Sequence, residues 1–265
     1  MQHNPPIRGG RHTARVVAVV WTLTVATAGF ANAPTNSAGT LPYPGVSLCI
    51  AADPACEAVV IGVGEGGRSL TRYQPKFQGL IAPLDAKLRR AMRGISWHPG
   101  CPVPLDQLRV LTLDHWRPDG TRSVGHLIVA ASVAPTVLAA FKHYFHVRFP
   151  ITVMAPVHLF GASDVRSMAA DNTSAFNCRK MTGGGRWSEH AFGTAVDINP
   201  LRNPYVKGQL VLPAAGKAWV QRKHVRPGML VAGGAGVGVW QRMGWGWGGA
   251  WRTLQDFQHV SKTGR

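Results

Sequence analysis

Apolar and polar positions divide the chain into three stretches. Val16 to Phe30 is an almost continuous apolar run. From Pro34 to about Gly100 the chain is rich in Gly, Pro and Ala with sparse periodicity, and this reads as a tether carrying one short helical piece around Leu84 to Met92. Beyond Cys101 the pattern becomes regular. Leu108 to Trp116 alternates as a strand, Asp119 and Gly120 form a hairpin turn, and Ser123 to Val129 reads as the partner strand. Val137, Leu138, Phe141, Tyr144 and Phe145 recur at helical spacing up to Phe149, with Pro135 in the first turn and Pro150 as a stop. Ile151 to Leu159 then reads as an apolar strand, Ser163 to Ala170 as a short helix capped by Ser163 or Asp164, and Thr194 to Ile198 as a strand. The glycine cluster Gly233 to Gly238 lacks the Lys-Ser/Thr ending of a phosphate loop and reads as a loop leading into a helix from Val237 to Met243. Residues 101–265 are therefore expected to form an α+β domain, a small antiparallel sheet with helices packed on one side, and at about 165 residues it can bury its own core.

The N-terminal run fixes an expected compartment. Arg8, Arg11 and Arg15 precede it, and Ala31, Asn32 and Ala33 follow as small residues, which is the order of a secretory signal over residues 1–33. The run is short of the roughly 20 residues that span a membrane, so no stable membrane insertion is expected after cleavage near Pro34. An uncleaved anchor is the competing reading. The protein is expected to be secreted, in the periplasm or the cell wall.

Composition adds a strong charge. The chain has 29 basic and 12 acidic residues, a net +17, and loses three arginines with the signal to leave +14. The basic residues are dispersed and no aromatic-basic RNA-binding signature is present, which points away from nucleic acid and toward anionic cell-wall polymers or simple solubility charge. Cys49, Cys56, Cys101 and Cys178 all lie beyond the signal, where disulfides are expected. Four cysteines allow three connectivities. The favoured one joins Cys49 to Cys56 across a short loop and Cys101 to Cys178; a Cys178 nucleophile beside Arg179 is the sharper alternative.

The candidate chemistry lies in two boxes. Ser188, His190, Gly193, Ala195 and Asp197 occupy one; Trp247, Gly248, Gly249 and Trp251, followed by Asp256 and His259, make the other. A catalytic zinc wants three protein ligands, an open position for water, and a separate carboxylate to take a proton. His190, Asp197 and His259 can be the ligands and Asp256 the base. On an unbroken strand His190 and Asp197, seven apart, would face opposite ways, so a turn at Gly193 is needed. His98, His115, His126, His143, His146, His158 and His224 each lack a carboxylate at ligand spacing within a matched box. Trp240 and Trp245 are expected in the core, with Trp247 and Trp251 available to line a cleft.

Taken together, Ser-x-His-x-x-Gly-x-Ala-x-Asp, Trp-Gly-Gly-x-Trp and Asp-x-x-His resemble the zinc D-Ala-D-Ala carboxypeptidase and L-alanyl-D-glutamate endopeptidase superfamily, most of all its extensin-like C-terminal branch. The resemblance covers roughly the last two thirds of the chain. It implies that Arg179, in the segment from Asn172 onward, polarises a scissile carbonyl, and that the substrates are peptidoglycan stem peptides. Ser188 and Asn177 are expected to orient substrate or neighbouring groups. Ala250, Gln258 and Val260 depart from the Asp and the Pro-His-Phe ending of endolysin-like members, which leaves the scissile bond open. The alternative from another class is a non-catalytic, zinc-stabilised protein that binds wall or other polyanions.

Overall fold

A computed structural model describes residues 56–63, 69–181 and 184–265, all within a unit spanning Gly39–Arg265. The expected signal and Cys49 lie outside the described residues. The first described elements are an antiparallel hairpin, β1 (Cys56–Val63) and β2 (Ser69–Pro75), followed by β3 (Gly79–Pro83) and α1 (Ala86–Met92).

The tether expected as far as Gly100 is corrected by these elements. β3 pairs along β4 (Leu108–Trp116), from Gly79 opposite Leu113 to Pro83 opposite Arg109, and Leu84 and Met92 are buried. The folded unit therefore begins well before Cys101.

β4 pairs with β5 (Arg122–Ala130) over nine residues, the hairpin turning at Gly120 (φ +81°) with the Thr121 amide donating to Asp119. Alternation then sorts the side chains to two faces. Leu111, Leu113, Leu127 and Val129 face the larger core, where Val137, Phe141 and Tyr144 of α2 (Ala134–His146) cover them. Leu108 and Ile128 face a second cluster with Leu84, Met92, Phe176 and Cys178. The expectation that helices lie on one side is thus corrected: α1 and its loops close the opposite face. The disulfide Cys101–Cys178 sits in that second cluster, as favoured, and Cys56 is disulfide-bonded as well. No described cysteine is free, so Cys178 offers no thiol nucleophile.

The strand expected from Ile151 to Leu159 shrinks to β6 (Val153–Met154), and a 3-10 turn occupies Val157–Phe160. The reason is local. The Asn172 side-chain carbonyl accepts from the Ala155 amide at 2.8 Å, and its amide donates back to the Ala155 carbonyl at 2.9 Å, taking both groups a ladder would need. α3 (Asp164–Ala169) follows with Ser163 as its cap, then β7 (Asn172–Thr173), parallel to β6.

The rest of the chain makes two further three-stranded sheets instead of extending the first. β8 (Ala195–Asp197), β11 (Gly246–Trp247) and β13 (His259–Ser261) form one; β9 (Tyr205–Lys207), β10 (Leu210–Leu212) and β12 (Gln255–Asp256) form the other. α4 (Ala235–Arg242) begins inside the glycine cluster and is tied to α2 through Tyr144, whose hydroxyl donates to the Gly236 carbonyl and accepts from the Trp240 indole, each at 2.7 Å. Trp240 and Trp245 are core residues, as expected.

Candidate metal centre

Asp197 and His259 are 62 residues apart in sequence and directly opposite each other across β8 and β13. Directly opposed residues of an antiparallel pair project from the same face, so register alone brings carboxylate and imidazole together. Val196 and Val260, the next pair along, are buried in the core on the other face. His190 arrives from a 3-10 turn over Glu189–Phe192, where Ser188 is the cap and its hydroxyl accepts from the His190 amide at 3.3 Å. Gly193 then reverses the chain at φ +66°, and a Cβ there would lie 2.6 Å from the Ala130 backbone nitrogen. The turn required by the seven-residue spacing is therefore present and restricted to glycine.

The three side chains converge. His190 Nε2 lies 3.2 Å from His259 Nδ1 and 3.2 Å from an Asp197 oxygen, and His259 Nδ1 lies 3.1 Å from the other oxygen. The outward ring nitrogens are both held by carbonyls: His190 Nδ1 donates to Ala175 at 2.6 Å and His259 Nε2 to Arg265 at 2.8 Å. Each ring thus carries its outward proton on a backbone bond and turns its other nitrogen inward. Fixing the tautomer through the remote nitrogen is how a metal-binding histidine is oriented. Donors bound to zinc at about 2.0–2.1 Å in tetrahedral array stand about 3.3 Å apart, close to the separations found here. The donor set fits a divalent metal.

Asp256 is next to this cluster on β12. Its carboxyl is buried, one oxygen has no hydrogen-bond partner, and burial followed by the Asp197 charge pushes its pKa up to about 6. Without a metal, burial pulls the His259 imidazole down, but its hydrogen bond to Asp197 and the charge of that residue outweigh burial and hold it at about 9. Burial also opposes ionisation of Asp197, yet the two imidazoles keep its carboxyl well below the usual range.

The second box has a steric logic. A Cβ on Gly248 would lie 2.7 Å from the Asp256 carbonyl oxygen, 3.0 Å from Asp256 Cβ and 3.3 Å from His259 Cβ, so this glycine lets the box close on both residues. Trp247 is buried, with its indole donating to Phe257, and belongs to the core. Trp251 is half-buried with its ring 5.5 Å from that of His259, and it is the tryptophan that borders the cluster.

Other expected site residues sit one step back. Arg179 is ion-paired with Asp164 at the start of α3, and the charges acting most on Asp256 are Asp197, His259 and His190. Asn177 is buried, its side-chain amide donating to Asp164 at 2.9 Å and its backbone amide to the His190 carbonyl at 3.1 Å. That geometry ties both Asn177 and Ser188 by hydrogen bonds to the backbone of His190. One neighbour of Asp256 escaped the sequence reading. Tyr205 is directly opposite Asp256 across β9 and β12. It sits in no spacing pattern that would single it out. A second trio, His98 with Cys101 and Cys178, also clusters, but its two sulfurs are bonded to each other.

Residues 182–262 match a family model described as D-alanyl-D-alanine carboxypeptidase, and that span holds His190, Asp197, Asp256 and His259 but not Asn177 or Arg179. Neither the curated proteins nor the solved structures yield a match.

Proposed function

We propose that the protein is a zinc-dependent peptidase acting on peptidoglycan stem peptides, of D-Ala-D-Ala carboxypeptidase or L-Ala-D-Glu endopeptidase type, in an exported compartment. The observation that carries this reading is the inward-facing set of His190 Nε2, His259 Nδ1 and the Asp197 carboxylate, with both remote ring nitrogens tied to carbonyls. Two imidazoles and one carboxylate suit zinc, and the family match over the same residues favours a peptidase. When bound, the ion supplies an acidified water and polarisation of a carbonyl.

The remaining work falls to the chain itself. Asp256, kept off the ligand set and raised to about 6, is suited to accept a proton near neutral pH and return it to the leaving amine. Arg179 is the cation proposed to meet negative charge developing on the carbonyl oxygen, with its resting position set by Asp164 and, behind it, Asn177. Trp251 walls one side beside His259. Ser188 acts through the turn that aims His190.

One observation favours the non-catalytic alternative, a zinc-stabilised wall-binding protein: His190 and His259 are only 4% and 5% exposed. Incubation of the zinc-loaded protein with purified muropeptides, with products identified by mass, separates the two. A released terminal alanine means carboxypeptidase action and a split stem means endopeptidase action. Stoichiometric zinc with no product at any protein concentration would replace the enzyme by the binding protein.

A further inference from the structure

Beyond β13 the chain folds back on the metal-site sheet and is latched there. The Lys262 amide donates to the Thr194 carbonyl at 3.0 Å, and at Gly264 (φ +76°) the chain reverses, its amide donating to the Ser261 carbonyl at 3.3 Å. The Trp251 indole donates to the Gly264 carbonyl at 2.8 Å. One residue on, the Arg265 carbonyl accepts from both the Ser261 hydroxyl and His259 Nε2, each at 2.8 Å. Small neighbours make the room. Ser261 stands between Ala195 on β8 and Gly246 on β11, and a Cβ on Gly246 would overlap Gly264 Cα. Ser261 is fully buried, and as the second residue after His259 in one strand it shares the face of that imidazole, so hydroxyl and ring reach the same oxygen.

A neutral imidazole has one N–H proton and two places for it. On Nε2 of His259 the proton meets Arg265 and leaves a lone pair on Nδ1, facing His190 and Asp197. On Nδ1 it would meet the Asp197 oxygen 3.1 Å away and turn the lone pair toward the Arg265 carbonyl, away from the other two donors. A carboxylate is the stronger acceptor, so the arrangement that binds metal needs the Arg265 carbonyl kept in position. That carbonyl belongs to a turn whose Lys262, Thr263 and Arg265 are exposed, where a chain without latches is mobile. His190 has a firmer partner, because Ala175 lies in the core.

We infer that Ser261 and Trp251 are positioning residues of the metal centre, which together hold the turn of residues 262–265 so that its carbonyl keeps the His259 proton on Nε2 and leaves Nδ1 open to the ion. The inference rests on the zinc reading of the trio. It gives the second tryptophan of the box a task that uses its N–H and not only its ring.

The test takes Trp251→Phe, Ser261→Ala and the two combined, in the full chain, beside the wild type and Val137→Ala, a core truncation on α2. Three quantities are measured: zinc affinity by competition with a chelating dye, solvent exchange of the His259 Nε2 proton by nitrogen-edited NMR in metal-free and zinc-loaded protein, and melting temperature. The combined variant is expected to bind zinc roughly 10–100-fold more weakly, the usual cost of removing a partner behind a ligand, and to exchange that proton roughly 10-fold faster. Val137→Ala is expected to melt earlier while its zinc affinity and proton exchange stay within about 3-fold of wild type, as for independent sites. Losses in Val137→Ala equal to those of the combined variant would show a general effect of stability and overturn the inference. So would a combined variant with wild-type zinc affinity and exchange. Trp251→Phe keeps a ring and loses only the N–H, so a wild-type result for it alone would strike Trp251 from the assignment. A protected Nε2 proton that the combined variant loses, in a wild-type protein that takes up no zinc, would uphold the anchoring and refute the zinc reading.

Discussion

Gly248→Ala adds one methyl group at the point where the tryptophan box meets the metal-site strands, and its effect follows from three distances. The new carbon would stand 2.7 Å from the Asp256 carbonyl oxygen, 3.0 Å from Asp256 Cβ and 3.3 Å from His259 Cβ. Carbon contacts settle at about 3.5–4.0 Å, so either the Gly248 backbone or the Asp256 to His259 segment must retreat by roughly 0.5–1 Å. Two of the three obstructing atoms are Cβ atoms fixed to the main chain and the third is a backbone oxygen, so no side-chain rotation relieves the clash. Overpacking of this kind costs about 1–3 kcal/mol. In a domain of this size that lowers the melting temperature by roughly 2–12 °C. A misplacement of about 1 Å at reacting groups costs on the order of 10²-fold in rate. The assay has three readouts: melting temperature, zinc affinity by competition with a chelating dye, and turnover of muropeptides. Gly185→Ala is the control, because nothing lies within 4 Å of its added carbon and its φ is not positive. All three readouts should worsen for Gly248→Ala and stay level for Gly185→Ala. If the two variants proved indistinguishable in stability and zinc affinity, the contact between the box and the site would not exist as described.

Asp256→Ala should retain zinc while turnover drops by roughly 10²–10⁴, whereas His190→Ala, His259→Ala and Asp197→Ala should lose metal and activity together; zinc analysis beside kinetics decides, and loss of zinc from Asp256→Ala would make Asp256 a ligand. Cys101→Ser/Cys178→Ser opens a link across a separation of 77 residues, and denaturant unfolding should show a loss of about 2–5 kcal/mol, near the chain-entropy value of about 4.5. Burial holds the His115 imidazole below its usual value, so its contribution is complete above about pH 6.5 and lost as pH falls, when the unfolded chain takes up the proton first. His115→Gln should therefore flatten the acid limb of the stability curve, and an unchanged limb would exclude His115 as its source.

The parts of the fold that were legible are those set by local pattern. The β4–β5 hairpin, α2 with Pro135 in its first turn, and the Ser163 cap follow from alternation, helical spacing and capping chemistry. The convergence of His190, Asp197 and His259 was legible because the three fall in two spaced boxes, and the reversal at Gly193 because two residues seven apart needed one. What escaped depends on partners distant in sequence. β3 is a five-residue strand with no alternation of its own and exists because β4 pairs with it. The end of β6 is decided by Asn172, 17 residues from Ala155. The positions of Arg179 and Asn177 are decided by Asp164, and the place of Tyr205 beside Asp256 by a two-residue strand pairing. No window of the chain contains those contacts.

The pairing of Asp197 with His259 also bears on the order of events when the chain is made. His190 and Asp197 emerge early and close together, yet the third donor is 62 residues further on and reaches them only when β13 has zipped onto β8 in the correct frame. A slip of one residue would turn His259 away from Asp197 and leave two donors, too few to hold zinc. On the proposed zinc reading, metal uptake would thus be a checkpoint on completed folding, and the ion would clasp the 62-residue connection between the two strands.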